Sequence, residues 1–178
     1  SQTDFVPDVA LADGAVVRGA GWTLEAVATP GHTANHLCFA LAEEAVLFTG
    51  DHVMAWSTTI VAPPDGAMAD FMASLRRLMA RDDRVLHPGH GASIEDPLPF
   101  LRGLEAHRLG REASLLAELG NGEKTIPEMV ATIYAAVDRS LHGAAALSLL
   151  AHAEDLAARG VIAAVDGPVR LAARLKRV

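Results

Sequence analysis

Three short stretches decide how this chain reads: Thr29-Pro30-Gly31-His32-Thr33, Phe48-Thr49-Gly50-Asp51-His52 and His87-Pro88-Gly89-His90-Gly91. Each follows an apolar run with the character of a β-strand, and in each a glycine is followed at once by His or Asp. Glycine lets the backbone turn without a Cβ clash, so the next side chain is presented at the end of a strand, on a rigid element. Neutral imidazole and carboxylate are the ligands that zinc and similar divalent ions prefer. One such turn is ordinarily just a turn, since Asp and Gly favour turns for local reasons. Three of them within about 60 residues point to a metal site built from His32, Asp51 and His90.

Around these turns the pattern is that of an α/β protein. Residues 23–30 and 36–42 read as strands, and residues 45–49 as a third. Ala62-Pro63-Pro64-Asp65-Gly66 is a loop, because adjacent prolines suit neither a helix nor a central strand. Phe71, Leu75 and Leu78 share one helical face, with Met72 and Met79 beside them and Arg76, Arg77 and Arg81 toward the other. Residues 84–87 form a short strand. A longer helix is expected from Pro99 to about Leu119, stopped by Gly120-Asn121-Gly122.

The remainder differs in kind. Thr125, Pro127 and Glu128 have the spacing of a helix start with a capping box, predicting a helix to about Val137. Another is expected from Gly143 to Arg159. Residues 161–165, Asp166-Gly167 and residues 169–172 then read as a hairpin with an Asp-Gly turn. Helix, helix and a two-stranded wing form a winged-helix pattern, with a boundary near residues 119–124. The expected division is therefore residues 1–119 and residues 120–178.

Composition narrows the function. The 178 residues are 51% hydrophobic, ample for a core, and carry a formal net charge of −7. The charge is uneven: residues 1–100 hold five Lys+Arg against thirteen Asp+Glu, and residues 101–178 hold ten against nine. An acidic half does not neutralise phosphates unless cations sit on it. The basic residues Arg170, Arg174, Lys176 and Arg177 read as a solvated tail. No apolar run approaches the roughly 18 residues of a membrane span, no basic-then-apolar leader opens the chain, and Cys38 is the single cysteine. These features lead to the expectation of a soluble cytoplasmic protein without membrane contact. Phosphate-cradling glycine motifs and serine-hydrolase elbows are absent.

The set TPGHT, FTGD and PGHG, in this order, resembles the second half of the metallo-β-lactamase-fold hydrolases. The likeness continues through GDHVMAWSTTIVAPPDG, ADFMASLRRL, HRLGRE and TIPE, and is that of the subgroup related to β-lactamase-like protein 2, which has glyoxalase-II-like enzymes as cousins. The resemblance implies the second half of an αββα sandwich followed by a small winged-helix domain. It implies that His32 belongs to the first metal site, that Asp51 bridges two ions, and that His90 completes the second site. Two zinc ions in the complete protein would generate a hydroxide that attacks an ester, thioester or phosphodiester bond. His52, Trp56 and Ser57 follow the Asp51 turn and are candidates to orient a ligand or line the pocket; no catalytic group beyond the ligands is assigned.

One departure matters. The family's first half supplies a His-x-His-x-Asp-His motif, and this sequence contains none. Its own residues would give each ion at most two protein ligands, short of the three usual at a catalytic zinc. Weak or absent zinc and an inactive chain are therefore expected. The exposed half-sandwich suggests a homo-oligomer, or association with the N-terminal half. A small-molecule substrate is favoured over single-stranded RNA, for which no basic track is traceable. The competing reading is a non-catalytic winged-helix module for binding or dimerisation. His107, His142 and His152 are taken as surface or capping residues, and His36 and the predicted-buried Cys38 as structural.

Overall fold

The structure is a computed structural model and describes residues 6–178; the first five residues of the expected first domain lie outside the described residues. Strands β1 (Val16–Gly19), β2 (Trp22–Ala28), β3 (Leu37–Leu41), β4 (Val46–Gly50) and β5 (Val85–Pro88) form one sheet in that order. The first four are antiparallel to their neighbours and β4 and β5 are parallel. A parallel pair needs a crossover, and α1 (Met68–Met79) supplies it. Strand β1 has no counterpart in the sequence reading. It pairs with β2 across Ala20-Gly21, with Gly19 opposite Trp22.

The sheet is buried on one face. Val27, Cys38, Ala40, Leu47 and Leu86 point into a core completed by Met68, Phe71, Leu75 and Leu78 of α1 and by Leu101. On the opposite face Phe39 and Phe48 are directly paired and Phe48 lies beside His87, with Phe48 42% exposed. Period-two alternation thus produces one packed face and one open apolar face.

Helix α2 (Pro97–Gly120) serves two cores. Leu101 belongs to the first, and Leu115 and Leu119 to a second, with Ile126, Met129, Leu149, Leu156 and Leu175. The second is built by α3 (Ile126–Ile133), α4 (His142–Ala158), β6 (Ile162–Ala164) and β7 (Leu175–Arg177). The capping box at the start of α3 forms as the sequence suggests: the Thr125 backbone N–H donates to Glu128 Oε2 at 2.7 Å and the Thr125 side chain accepts from the Glu128 N–H. The helix ends four residues before Val137. His142 Nε2 lies 3.1 Å from both the Tyr134 and Val137 carbonyls, so its N–H caps the freed end.

The wing differs from expectation. Asp166-Gly167 does not close a tight hairpin. The second strand is Leu175–Arg177, not residues 169–172, and pairs with Ile162–Ala164. Pro168 brings no N–H to a ladder beginning there, whereas Leu175 is fully buried and exchanges backbone hydrogen bonds with Lys124 (2.8 and 3.1 Å). Burial sets the register over local turn preference.

His152 of α4 is buried as well, 2% exposed, with neither ring nitrogen hydrogen-bonded. Burial, reinforced by Arg108 nearby, pushes its pKa down to about 3. The unfolded chain, with an ordinary histidine near 6.5, takes up this proton first as pH falls. The contribution is therefore complete above about pH 6.5 and is lost as pH falls toward 3. Between pH 6.5 and 5, wild type should lose up to about 2 kcal/mol more stability than His152→Leu in chemical denaturation. Parallel pH dependence in the two proteins would refute this.

Candidate metal centre

His32, Asp51 and His90 come together at one end of the sheet. His32 follows the turn after β2, Asp51 directly follows β4, and His90 lies in the turn after β5. Adjacency of β4 and β5 aligns the last two, and the Gly89 N–H donates to the Gly50 carbonyl at 2.8 Å, tying the turns together. His90 Nε2 lies 3.5 Å from Asp51 Oδ1, and His32 Nε2 lies 3.8 Å from Asp51 Oδ2. Each histidine thus faces a different oxygen of one carboxylate.

The tautomer of His32 follows from its partner. Nδ1 lies 2.7 Å from the Ile60 carbonyl, an acceptor only, so Nδ1 carries a proton, and in the neutral ring the Nε2 lone pair faces Asp51. Two acceptors facing each other are satisfied by a positive charge between them. Neighbouring donors on a tetrahedral zinc, with bonds of about 2.1 Å, sit about 3.4 Å apart. Both separations lie within a few tenths of an ångström of that, and an imidazole whose other nitrogen donates to a backbone carbonyl is the usual ligand arrangement. The donor set suits a divalent ion on each side of Asp51. It is incomplete: among the described residues, no three His, Cys, Asp or Glu side chains are gathered closely enough to hold one ion.

His36 holds the Asp51 turn. The Asp51 N–H donates to His36 Nε2 at 3.2 Å, which requires the proton to be on Nδ1, and Nδ1 donates to Thr29 Oγ1 at 2.8 Å. Burial, followed by the proximity of His32, lowers the His36 pKa, in keeping with a neutral ring. Gly50 makes this possible: its φ is +51°, and a Cβ there would meet His36 Nε2 at 2.8 Å. Thr59 Oγ1 donates to the Asp51 carbonyl at 2.6 Å.

The other candidates are dispersed. His52 is fully buried, its ring 4.6 Å from that of Phe71, and neither ring nitrogen makes a hydrogen bond. Its pKa is pushed down to about 3 by burial. Trp56 is 73% exposed, with its ring 6.0 Å from that of His90. Ser57 lies in the wall of a cleft between the sheet's end and the winged helix. His87 bonds Ser93 Oγ at 2.8 Å. Cys38 is buried, which pushes its thiol up to about 11.

His152 is buried and not a surface residue, and His107 is half-buried. His107 lines the cleft and its Nδ1 is buried without a partner. Arg108, which the sequence reading does not single out, is 4% exposed. A signal for it exists: Leu101, Arg108 and Leu115 recur every seven residues, placing an arginine on the apolar stripe of α2.

Comparison with known proteins agrees with this architecture. Residues 2–90 match the metallo-beta-lactamase superfamily, and residues 125–170 match the beta-lactamase associated winged helix domain. A lactamase-like protein, notP, from an Aspergillus species is 33% identical over 137 residues, which are 70% of this chain and 41% of that protein. An atrochrysone carboxyl ACP thioesterase from Aspergillus fumigatus is 38% identical over 112 residues, 63% of this chain and 34% of that protein. The chain thus spans about two fifths or less of the length of these relatives. Among solved structures, the metallo-beta-lactamase family protein TTHA1429 from Thermus thermophilus superposes with a TM-score of 0.81 at 32% identity, over 94% of this chain and 54% of that one. A beta-lactamase domain protein from Burkholderia ambifaria has the same fold (TM-score 0.85, 21% identity, 98% of this chain and 54% of that one). With strands, turns and wing all accounted for, the chain belongs to the metallo-beta-lactamase superfamily and carries that superfamily's associated winged helix.

Proposed function

We propose that this chain is the metal-binding and winged-helix portion of a zinc-dependent hydrolase acting on an ester or thioester of a small molecule. The observation that carries the reading is the placement of His32 and His90 on opposite oxygens of Asp51. Divalent ions bound there would acidify water to a pKa near 7 and polarise a scissile carbonyl. The chain's own part is to hold the ligands. His36 and Thr59 anchor the Asp51 backbone, Ile60 orients His32, and the Trp56 ring lies beside His90. The relative named as an acyl-carrier-protein thioesterase supports the thioester class. Phosphodiester cleavage of single-stranded RNA is the less supported substrate class.

Three donors shared by two ions leave each with two protein ligands, so the chain alone holds zinc weakly and is inactive. The open sheet face, with Phe39 and Phe48, is the surface on which the rest of an αββα sandwich would pack, or a second copy of the chain. Residues 120–178 form the winged-helix unit, which closes the cleft beside the metal rim. Among the described residues no helix is long and apolar enough to cross a membrane.

The test compares the 178-residue chain with the same chain joined to a sandwich half carrying His-x-His-x-Asp-His. Thioester hydrolysis should appear only in the joined protein, together with two bound metals, and a chelator should remove both. Hydrolysis that survives the chelator, or sustained hydrolysis by the chain alone, would overturn the proposal. Oligoribonucleotide affinity that falls steeply with salt would move the substrate class to RNA.

A further inference from the structure

Arg108 presents a problem of charge. A guanidinium that is 4% exposed should be paired, because an unpaired buried cation is costly. Among the described residues neither Arg108 nor Arg111 has a carboxylate within 4 Å. Arg108 donates only to the Thr59 carbonyl and lies 4.8 Å from the Phe71 ring centre. Arg111 donates to the Ile133 carbonyl at 3.1 Å and stacks on Tyr134, and its Nε is buried without a partner. His107 Nδ1 beside them is also buried and unpartnered.

All three line a cavity of about 260 Å³ between the two cores. Ile60, Leu141 and Ala145 give it apolar wall, beside the hydroxyl-bearing Ser57, Thr58 and Ser148. The volume lies just below the roughly 300–1,000 Å³ of most small-ligand pockets. The loop of residues 57–60 separates this cavity from the candidate metal rim by a single thickness of chain. Thr59 donates to the Asp51 carbonyl on one side and accepts from Arg108 on the other, while the Ile60 carbonyl holds His32.

We infer that this cleft binds the acid end of a short acyl chain, with the carboxylate on Arg111, Arg108 and His107 and the carbon chain against Ile60, Leu141 and Ala145. The inference rests on the hydrolase reading for its meaning, since it would make the substrate an ester or thioester whose acyl group ends in a carboxylate. A carboxylate is chosen over a phosphate because the cleft is small and Ile60, Leu141 and Ala145 offer an attached carbon chain an apolar wall. Burial lowers the Arg108 pKa to about 10, which leaves the group cationic near neutrality.

The experiment is calorimetric titration of the chain, in chelator, with hexanoate, its neutral analogue hexanamide, and inorganic phosphate. Hexanoate should bind, and hexanamide should bind at least about 10-fold more weakly, the loss of a charge-assisted hydrogen bond. Arg111→Gln should weaken hexanoate by a similar factor while keeping the wild-type circular dichroism, and Arg111→Lys should recover part of the loss. Equal binding of hexanamide, undiminished binding by Arg111→Gln, or phosphate binding as well as hexanoate would overturn the inference. The measurement uses no metal and no turnover, so it fails or succeeds independently of hydrolysis: hexanoate binding without hydrolysis by the joined protein would remove the enzymatic reading alone.

Discussion

Asp51→Ala should abolish zinc binding at both positions of the candidate centre, whereas His32→Ala and His90→Ala should each affect one. The asymmetry comes from geometry. Asp51 offers Oδ2 to His32 at 3.8 Å and Oδ1 to His90 at 3.5 Å, and among the described residues the two histidines share no other donor. In the protein joined to a complete sandwich, metal analysis should give about two ions for wild type, fewer than one for Asp51→Ala, and about one for each histidine variant. His36→Ala tests the support beneath the carboxylate. Its ring accepts the Asp51 N–H without touching either proposed ion position, so affinity should fall by about 10–100-fold, the usual cost of losing an outer partner, without altering stoichiometry. If Asp51→Ala keeps two ions, or one histidine variant loses both, the bridging role assigned to Asp51 is wrong.

How far the sequence can be read depends on the range of the interactions. His32, Asp51 and His90 are legible because glycine turns at strand ends are local, and strands β2 to β5 then align those ends through backbone pairing. The start of α3 is legible for the same reason, since Thr125 and Glu128 satisfy each other within one turn. The second wing strand is not, because its position depends on Leu175 reaching both the second core and the Lys124 backbone, some 50 residues away. Strand β1 carries no distinctive local signal: all four of its residues are exposed, and only pairing with β2 makes it a strand. Arg108 and His152 escape a local reading because polar residues on a helix are ordinarily solvated. Here α2 and α4 pack with the loop of residues 57–60, and Val61 N–H donates to Ser148 Oγ at 3.3 Å across 87 residues. That junction encloses both side chains; the seven-residue recurrence of Leu101, Arg108 and Leu115 puts Arg108 on an apolar stripe but does not reveal what covers it.

Gly31→Ala should be the most destabilising single-methyl addition in the chain, costing at least about 3 kcal/mol. Gly31 has φ +136°, and a Cβ built there would lie 2.3 Å from Phe71 Cα and 2.4 Å from Phe71 N, which are backbone atoms of α1 with no rotamer by which to withdraw. Phe71 is 1% exposed, so relief requires moving α1 off the sheet. It would also break the hydrogen bond from the Ala67 N–H to the Gly31 carbonyl, 3.0 Å. Overpacking costs about 1–3 kcal/mol and a disfavoured φ a comparable amount. For a chain of this size that lowers the melting temperature by roughly 6–12 °C or more. Gly103→Ala is the matched control. Gly103 lies within α2 with nothing inside 4 Å of a new Cβ, so alanine should stabilise by about 0.5–1 kcal/mol through helix propensity. Because His32 is the next residue, a relaxation that shifts the turn instead of α1 would displace His32 from Asp51. A melting temperature within about 2 °C of wild type, well short of the shift expected for a chain of this size, with zinc stoichiometry intact in the joined protein, would show that the turn is not held against α1 as described.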